Sequence, residues 1–133
     1  MEYLYHGSII QNLKILKPRK RYTPAGKIDF AAIYATKLPA YAACHSFPWS
    51  SKEGIDLNII GNKISLEIPS KFKDRLKTPI SIYKISSKDF EHTKEESTGL
   101  TWHSKKQTPI IEEVKYASVK EALEILGAKL IIL

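Results

Sequence analysis

"YLYHGS" at residues 3–8 runs two tyrosines and a leucine straight into His6, Gly7 and Ser8. Aromatic and leucine side chains suit a half-buried pleated strand, and Gly7 lets the backbone turn or approach another chain closely. A strand that ends this way sets an imidazole and an open peptide unit at the edge of a cleft, where a flat amide can dock. The matching stretch is "FAAIYATK" at 30–37, a short apolar strand that carries Tyr34, a ring with both a stacking face and a hydroxyl.

Working outward, residues 9–29 hold two prolines, a glycine and many charges and read as a loop. After Tyr34 the Ala-rich "LPAYAACHSF" predicts a helix, with Pro39 in its first turn, Thr36 as its N-cap and Pro48 marking its end. Period-two alternation in "KISLEIP" (63–69) predicts a strand with one dry face, and "PISIYKIS" (79–86) repeats the sign. Residues 87–101 are polar and turn-rich, a surface loop of the length that often serves function. "TPIIEEVKY" resumes strand character. Ser118 and Glu121 have capping-box spacing before an apolar stripe that stops at Gly127, and "AKLIIL" closes the chain as a buried strand. The sum is an α+β arrangement, an antiparallel or mixed sheet with few short helices, in a single domain spanning 1–133.

Lys and Arg number 21 against 14 Asp and Glu, a formal charge of +7 that favours anionic partners. Much of the excess sits at 17–22 and 70–77, which read as solvated faces. Cys44 is the only cysteine, which excludes an intrachain disulfide and a multi-cysteine metal site; it reads as a small buried hydrophobe in a reducing cytoplasm. The start of the chain lacks a leader pattern and no stretch is apolar for long enough to span a membrane, so a cytoplasmic protein without membrane contact is expected. Gly-rich phosphate loops, H-E-x-x-H and G-x-S-x-G are all missing.

"LYHGS" and "AIYATKLPAYAACHSF", in this order and at this spacing, resemble the first two motifs of the ADP-ribosyltransferase superfamily, in its diphtheria-toxin and poly(ADP-ribose) polymerase branch. The resemblance covers about the first 50 residues. It implies a split sheet that binds NAD as substrate without a metal. His6 would hydrogen-bond the nicotinamide-side ribose, Gly7 would grip the carboxamide through its backbone with Ser8 in support, and Tyr34 would stack on the ring. The family's third motif supplies a Glu; the matching position here is Thr101, just before Trp102, and no Glu occurs between Ser97 and Ile111. Glu95, Glu96, Glu112 and Glu113 flank that gap, and only one of each adjacent pair can face a cleft.

The implied activity is NAD-dependent mono-ADP-ribosylation of a nucleic-acid or protein acceptor. The competing reading is a catalytically inactive domain of the same fold that binds a nucleotide or nucleic acid. RNA 2′-phosphotransferases, further relatives of this fold, would ask for more site arginines than Arg19, Arg21 and Arg75, none of which lies in the two motifs. Trp102 is expected to pack against the sheet. His103 and His45 are candidate acid–base groups that the sequence leaves without an orienting neighbour.

Overall fold

A computed structural model describes residues 2–19, 31–93 and 99–133. Its strands are β1 (Tyr3–Ser8), β2 (Ile15–Leu16), β3 (Ile33–Ala35), β4 (Asp56–Ile60), β5 (Lys63–Ile68), β6 (Ile80–Ser86), β7 (Glu91–His92), β8 (Trp102–Ser104), β9 (Thr108–Pro109), β10 (Glu112–Tyr116) and β11 (Lys129–Ile132). The helices are α1 (Pro39–Cys44) and α2 (Val119–Leu126), with 3₁₀ turns at Ser51–Glu53 and Ser70–Lys77. This is an α+β architecture of several small sheets. Among the described residues all strand pairings are antiparallel except β11 with β5.

The central sheet has the order β1-β6-β10, and β6 explains why. Its alternation places Ile80 and Ile82 on one face and Tyr83 and Ile85 on the other, all buried. The first face packs under α1, α2 and the inward residues of β5, Ile64, Leu66 and Ile68. The second joins Leu4, Leu16, Ile33 and Ala35 in a smaller core. A strand buried on both faces belongs in the middle of a sheet.

Helix α2 forms as the sequence predicts: Ser118 Oγ accepts from the Glu121 N–H at 3.0 Å, and Gly127 closes the helix at φ 84°. Several expectations need correction. Thr36 does not cap α1; its Oγ1 accepts from the Leu38 N–H, making a local turn before the helix. The helix stops at Cys44, well short of Pro48. "TPIIEEVKY" is two strands, β9 and β10, because the chain leaves one partner sheet for another at residues 110–111. β11 is an edge strand with Ile132 exposed, not a buried one. The region 87–101 contains β7. Residues 70–77 are the second 3₁₀ turn: Leu76 is buried, and Arg75 is clamped to Glu53 by bonds of 2.9 and 2.5 Å. That leaves the turn's lysines facing solvent.

Among the described residues no helix is long and apolar enough to cross a membrane.

Among the described glycines, the tightest surroundings are those of Gly7. A Cβ there would lie 2.2 Å from the Ala42 carbonyl oxygen and 2.9 Å from Ser46 Cβ, so β1 and α1 meet only because Gly7 has no side chain. Gly7→Ala must push α1 off the sheet, and overpacking of this kind costs about 1–3 kcal/mol. Urea unfolding should show the midpoint falling with an unchanged slope; an unchanged midpoint would contradict the contact.

Candidate functional site

Among the described residues a single backbone bridge joins β1 to the residue that follows β3. Tyr5 and Thr36 exchange both backbone hydrogen bonds, at 2.7 and 2.9 Å. In a continued antiparallel ladder the next such pair would be Gly7 with Tyr34. It does not form. The Tyr34 carbonyl instead accepts from His6 Nδ1 at 2.6 Å.

Two consequences follow. A carbonyl oxygen only accepts, so the proton of a neutral His6 ring is on Nδ1, and Nε2 is its acceptor nitrogen. Ladder parity also turns the Gly7 N–H and C=O away from β6 toward the gap, on the same edge that Tyr5 uses to reach Thr36. One residue pair further along β3, Ala32 exchanges backbone bonds of 3.1 Å with Arg19. The edge of β3 is thus held by β1 at one end and by the segment at Arg19 at the other, with the gap between.

A cavity of about 510 Å³ occupies that gap. His6, Gly7, Ser8, Tyr34 and Thr101 all line it, so the five residues singled out from sequence meet in one place. Tyr34 is buried within the β3 ladder, its ring 6.4 Å from that of His103. Thr101 is buried just before β8, and its carbonyl accepts from the Thr93 N–H at 2.8 Å. The strand it precedes, β8, pairs with β3.

Among the described residues none of the flanking carboxylates lines the cavity. Glu95 and Glu96 fall outside the described residues. Glu112 and Glu113 sit on β10, separated from β1 by β6, and of the two Glu113 shares the face of His6 and Tyr83. Its role is structural. Glu113 Oε2 accepts from the Asn12 N–H at 2.9 Å and from Ser81 Oγ at 2.6 Å. Tyr83 Oη donates to the Ile10 carbonyl at 2.6 Å and accepts from the Leu13 N–H at 3.1 Å. Between them these two side chains fix residues 10–13, which form a wall of the cavity. Asn12 adopts the left-handed φ of 65° that brings its N–H to the carboxylate.

Sequence reading did not single out Tyr41, and it named His45 only as an acid–base candidate. Tyr41 and His45 come four residues apart at the end of α1 and both reach the cavity, their rings 4.6 Å apart. That spacing on a short helix is the signal that could have found them. Lys14, Lys17 and Arg19 line the opening as well. Of the other arginines, Arg75 is engaged by Glu53, and Arg21 lies outside the described residues.

His103 is away from the cavity wall. Its Nδ1 is 2.8 Å from Thr93 Oγ1, and its Nε2 is 3.9 Å from Glu91, a neighbour the sequence did not reveal. Trp102 packs beside the second core, under Lys37 and against His92, as expected. Cys44 is fully buried, which pushes its thiol up to about 12 and makes it inert as a nucleophile. No group of three or more metal-ligating side chains occurs among the described residues.

No protein-family profile, characterised protein or solved structure matches the chain.

Burial alone would raise the Glu113 pKa, but hydrogen bonds from Ser81 and the Asn12 N–H, with Lys115 nearby, outweigh it and hold the carboxyl below its usual range. A group lowered by folding stabilises the fold above its unfolded pKa and loses that contribution as pH falls through its folded value. Glu113→Gln should therefore flatten the loss of stability below about pH 4.3. Thermal melts across the acid range test this; an unchanged pH profile would mean that the wall at residues 10–13 does not depend on this anchor.

Proposed function

We propose that the protein binds NAD in this cavity as an ADP-ribosyltransferase-like domain and transfers a single ADP-ribose to a macromolecular acceptor. The observation that carries the reading is the interrupted pairing of β1 with β3. His6 occupies the Tyr34 carbonyl, and parity turns the Gly7 peptide into the gap, a donor and an acceptor side by side. A carboxamide has the complementary pair. Ser8 flanks that position, and Tyr34 with Tyr41 and His45 supplies aromatic surface for a pyridine ring. With Nδ1 protonated, His6 Nε2 is the ring nitrogen of the type that accepts from a ribose hydroxyl. The same reading sets the protein in the cytoplasm, where the buried Cys44 thiol stays reduced.

In the reaction the bond between ribose and nicotinamide loosens before the acceptor is fully bonded, and nicotinamide leaves neutral because its ring nitrogen starts positively charged. The chain's part is to hold the ring and ribose in place and to exclude water. Thr101 offers a hydroxyl dipole where the related enzymes carry a charge. The lack of a preorganised electrostatic partner commonly costs on the order of 10²–10³ in rate. Slow single transfer fits such a site better than chain elongation. One observation favours a second reading, NAD binding without turnover: among the described residues no carboxylate lines the cavity.

Calorimetric titration with NAD, followed by assay of free nicotinamide in the same samples, separates the two. Binding should be lost in His6→Ala and in Tyr34→Ala while the melting transition persists. Thr101→Glu, which adds the absent charge, should raise nicotinamide release by up to about 10²–10³. NAD binding that survives both alanine variants would refute the site; binding with no release in any variant would establish the second reading.

A further inference from the structure

Around the opening of the cavity the chain carries charge that the dinucleotide reading leaves unassigned. Lys14, Lys17 and Arg19 line the cavity, all three are exposed, and among the described residues no Asp or Glu joins the lining. Among the described residues none of the three forms an ion pair. The basic turn at Ser70–Lys77 is different: Arg75 is held by Glu53, Lys77 pairs with Asp74 at 3.3 Å, and Lys71 lies over the Phe72 ring. Both segments are basic in sequence, yet only the first places uncommitted cations beside a cavity.

These cations also follow one another along a single stretch of chain, from just before β2 to the Arg19–Ala32 pair, next to a cavity lined with Tyr34, Tyr41 and His45. A line of cations bordering aromatic surface is how proteins hold single-stranded nucleic acid: phosphates follow the charges, and unstacked bases find a ring or reach inward. An acidic protein surface would satisfy the charges but would have no use for the adjoining aromatic wall. A duplex keeps its bases stacked and out of reach.

We propose that the cavity mouth docks a single-stranded nucleic acid, with its phosphodiester oxygens on Lys14, Lys17 and Arg19. The inference deepens the reading above and rests on it, because the strand becomes the acceptor. In the transfer, the bond from the ribose carbon to the nicotinamide nitrogen breaks with its electron pair leaving on nicotinamide. A base nitrogen of the strand forms the new bond to that carbon and releases its proton to solvent.

Fluorescence anisotropy with a labelled single strand of about 12 nucleotides tests the docking. The competitors are the same sequence as a duplex, and polyglutamate as a protein-like polyanion. Each phosphate contact on a single strand adds about 0.7 to the slope of log affinity against log salt. The combined Lys14→Ala, Lys17→Ala, Arg19→Ala variant should therefore flatten that slope by about 2 and weaken binding at low salt. Removing the same charge elsewhere, with Lys71→Ala, Lys73→Ala and Lys77→Ala, should leave the slope as it was. Equal losses in the two triple variants, tighter binding of polyglutamate or duplex, or no binding at all would overturn the proposal.

NAD titration of the same variants keeps the two readings apart. If the cavity-mouth triple loses NAD and keeps the strand, the cations serve the dinucleotide's own diphosphate and the inference fails. If NAD binds normally and the strand does not, the inference alone fails. If the strand binds through the three cations and NAD does not bind, docking stands and the transferase reading falls.

Discussion

The contact between Gly7 and the Ala42 carbonyl sets the geometry on which the cavity depends. It draws α1 tight against β1, so that Tyr41 and His45, at the end of that helix, come over the place where β1 and β3 separate. At that place the sheet gives up a pair of backbone bonds. A lost ladder pair inside a protein costs stability unless its groups find other partners. His6 satisfies the Tyr34 carbonyl, which makes the interruption tolerable on one side. The Gly7 peptide faces the gap on the other side. Glycine is therefore needed twice at one residue, first for the missing side chain that lets the helix approach, and then for the open backbone that approach leaves exposed.

The cavity also relies on its far wall. Residues 10–13 have no regular structure of their own, yet Tyr83 and Glu113 hold them at the Ile10 carbonyl and at the Asn12 and Leu13 N–H groups. Both anchors project from the face of the central sheet that carries His6. One rigid sheet therefore positions the imidazole and, through two long-range hydrogen-bonded side chains, the loop opposite it. A loop fixed in this way can present Lys14 and the residues that follow in a constant place, although little of its own sequence favours order.

How much of this was legible depended on the range of the interaction responsible. Local signals served well: the capping pair Ser118 and Glu121, the stop at Gly127, and the alternation of β5 and β6 all arise within a few residues. The stretches that meet at the cavity were legible for a related reason, since His6 with Gly7 and Tyr34 with its helix are each compact. β11 was misjudged because an apolar run does not say whether its strand will lie at the edge of a sheet. Residues 70–77 look like a plain charged face until Glu53, far away in sequence, engages Arg75 and Leu76 turns inward. The wall at residues 10–13 was invisible because its anchors are 70 and 101 residues away along the chain. No periodicity reports a partner at such a distance.

Charge inside the cavity constrains its chemistry more sharply than its shape does. A reaction that builds positive charge at a sugar carbon gains most from a nearby carboxylate, and among the described residues the lining has none. Three cations stand at the opening instead. They oppose a cationic transition state and attract an anionic ligand, so the field of this site acts more strongly on binding than on bond cleavage. Thr101 sits where the two demands meet. A glutamate at that buried position would assist the departure of nicotinamide but would also have to be desolvated and would weaken the attraction for phosphate. A neutral hydroxyl avoids both penalties at the expense of rate. On the proposed reading, this arrangement suits a domain that holds a polyanion beside a bound dinucleotide, with turnover as the slower event.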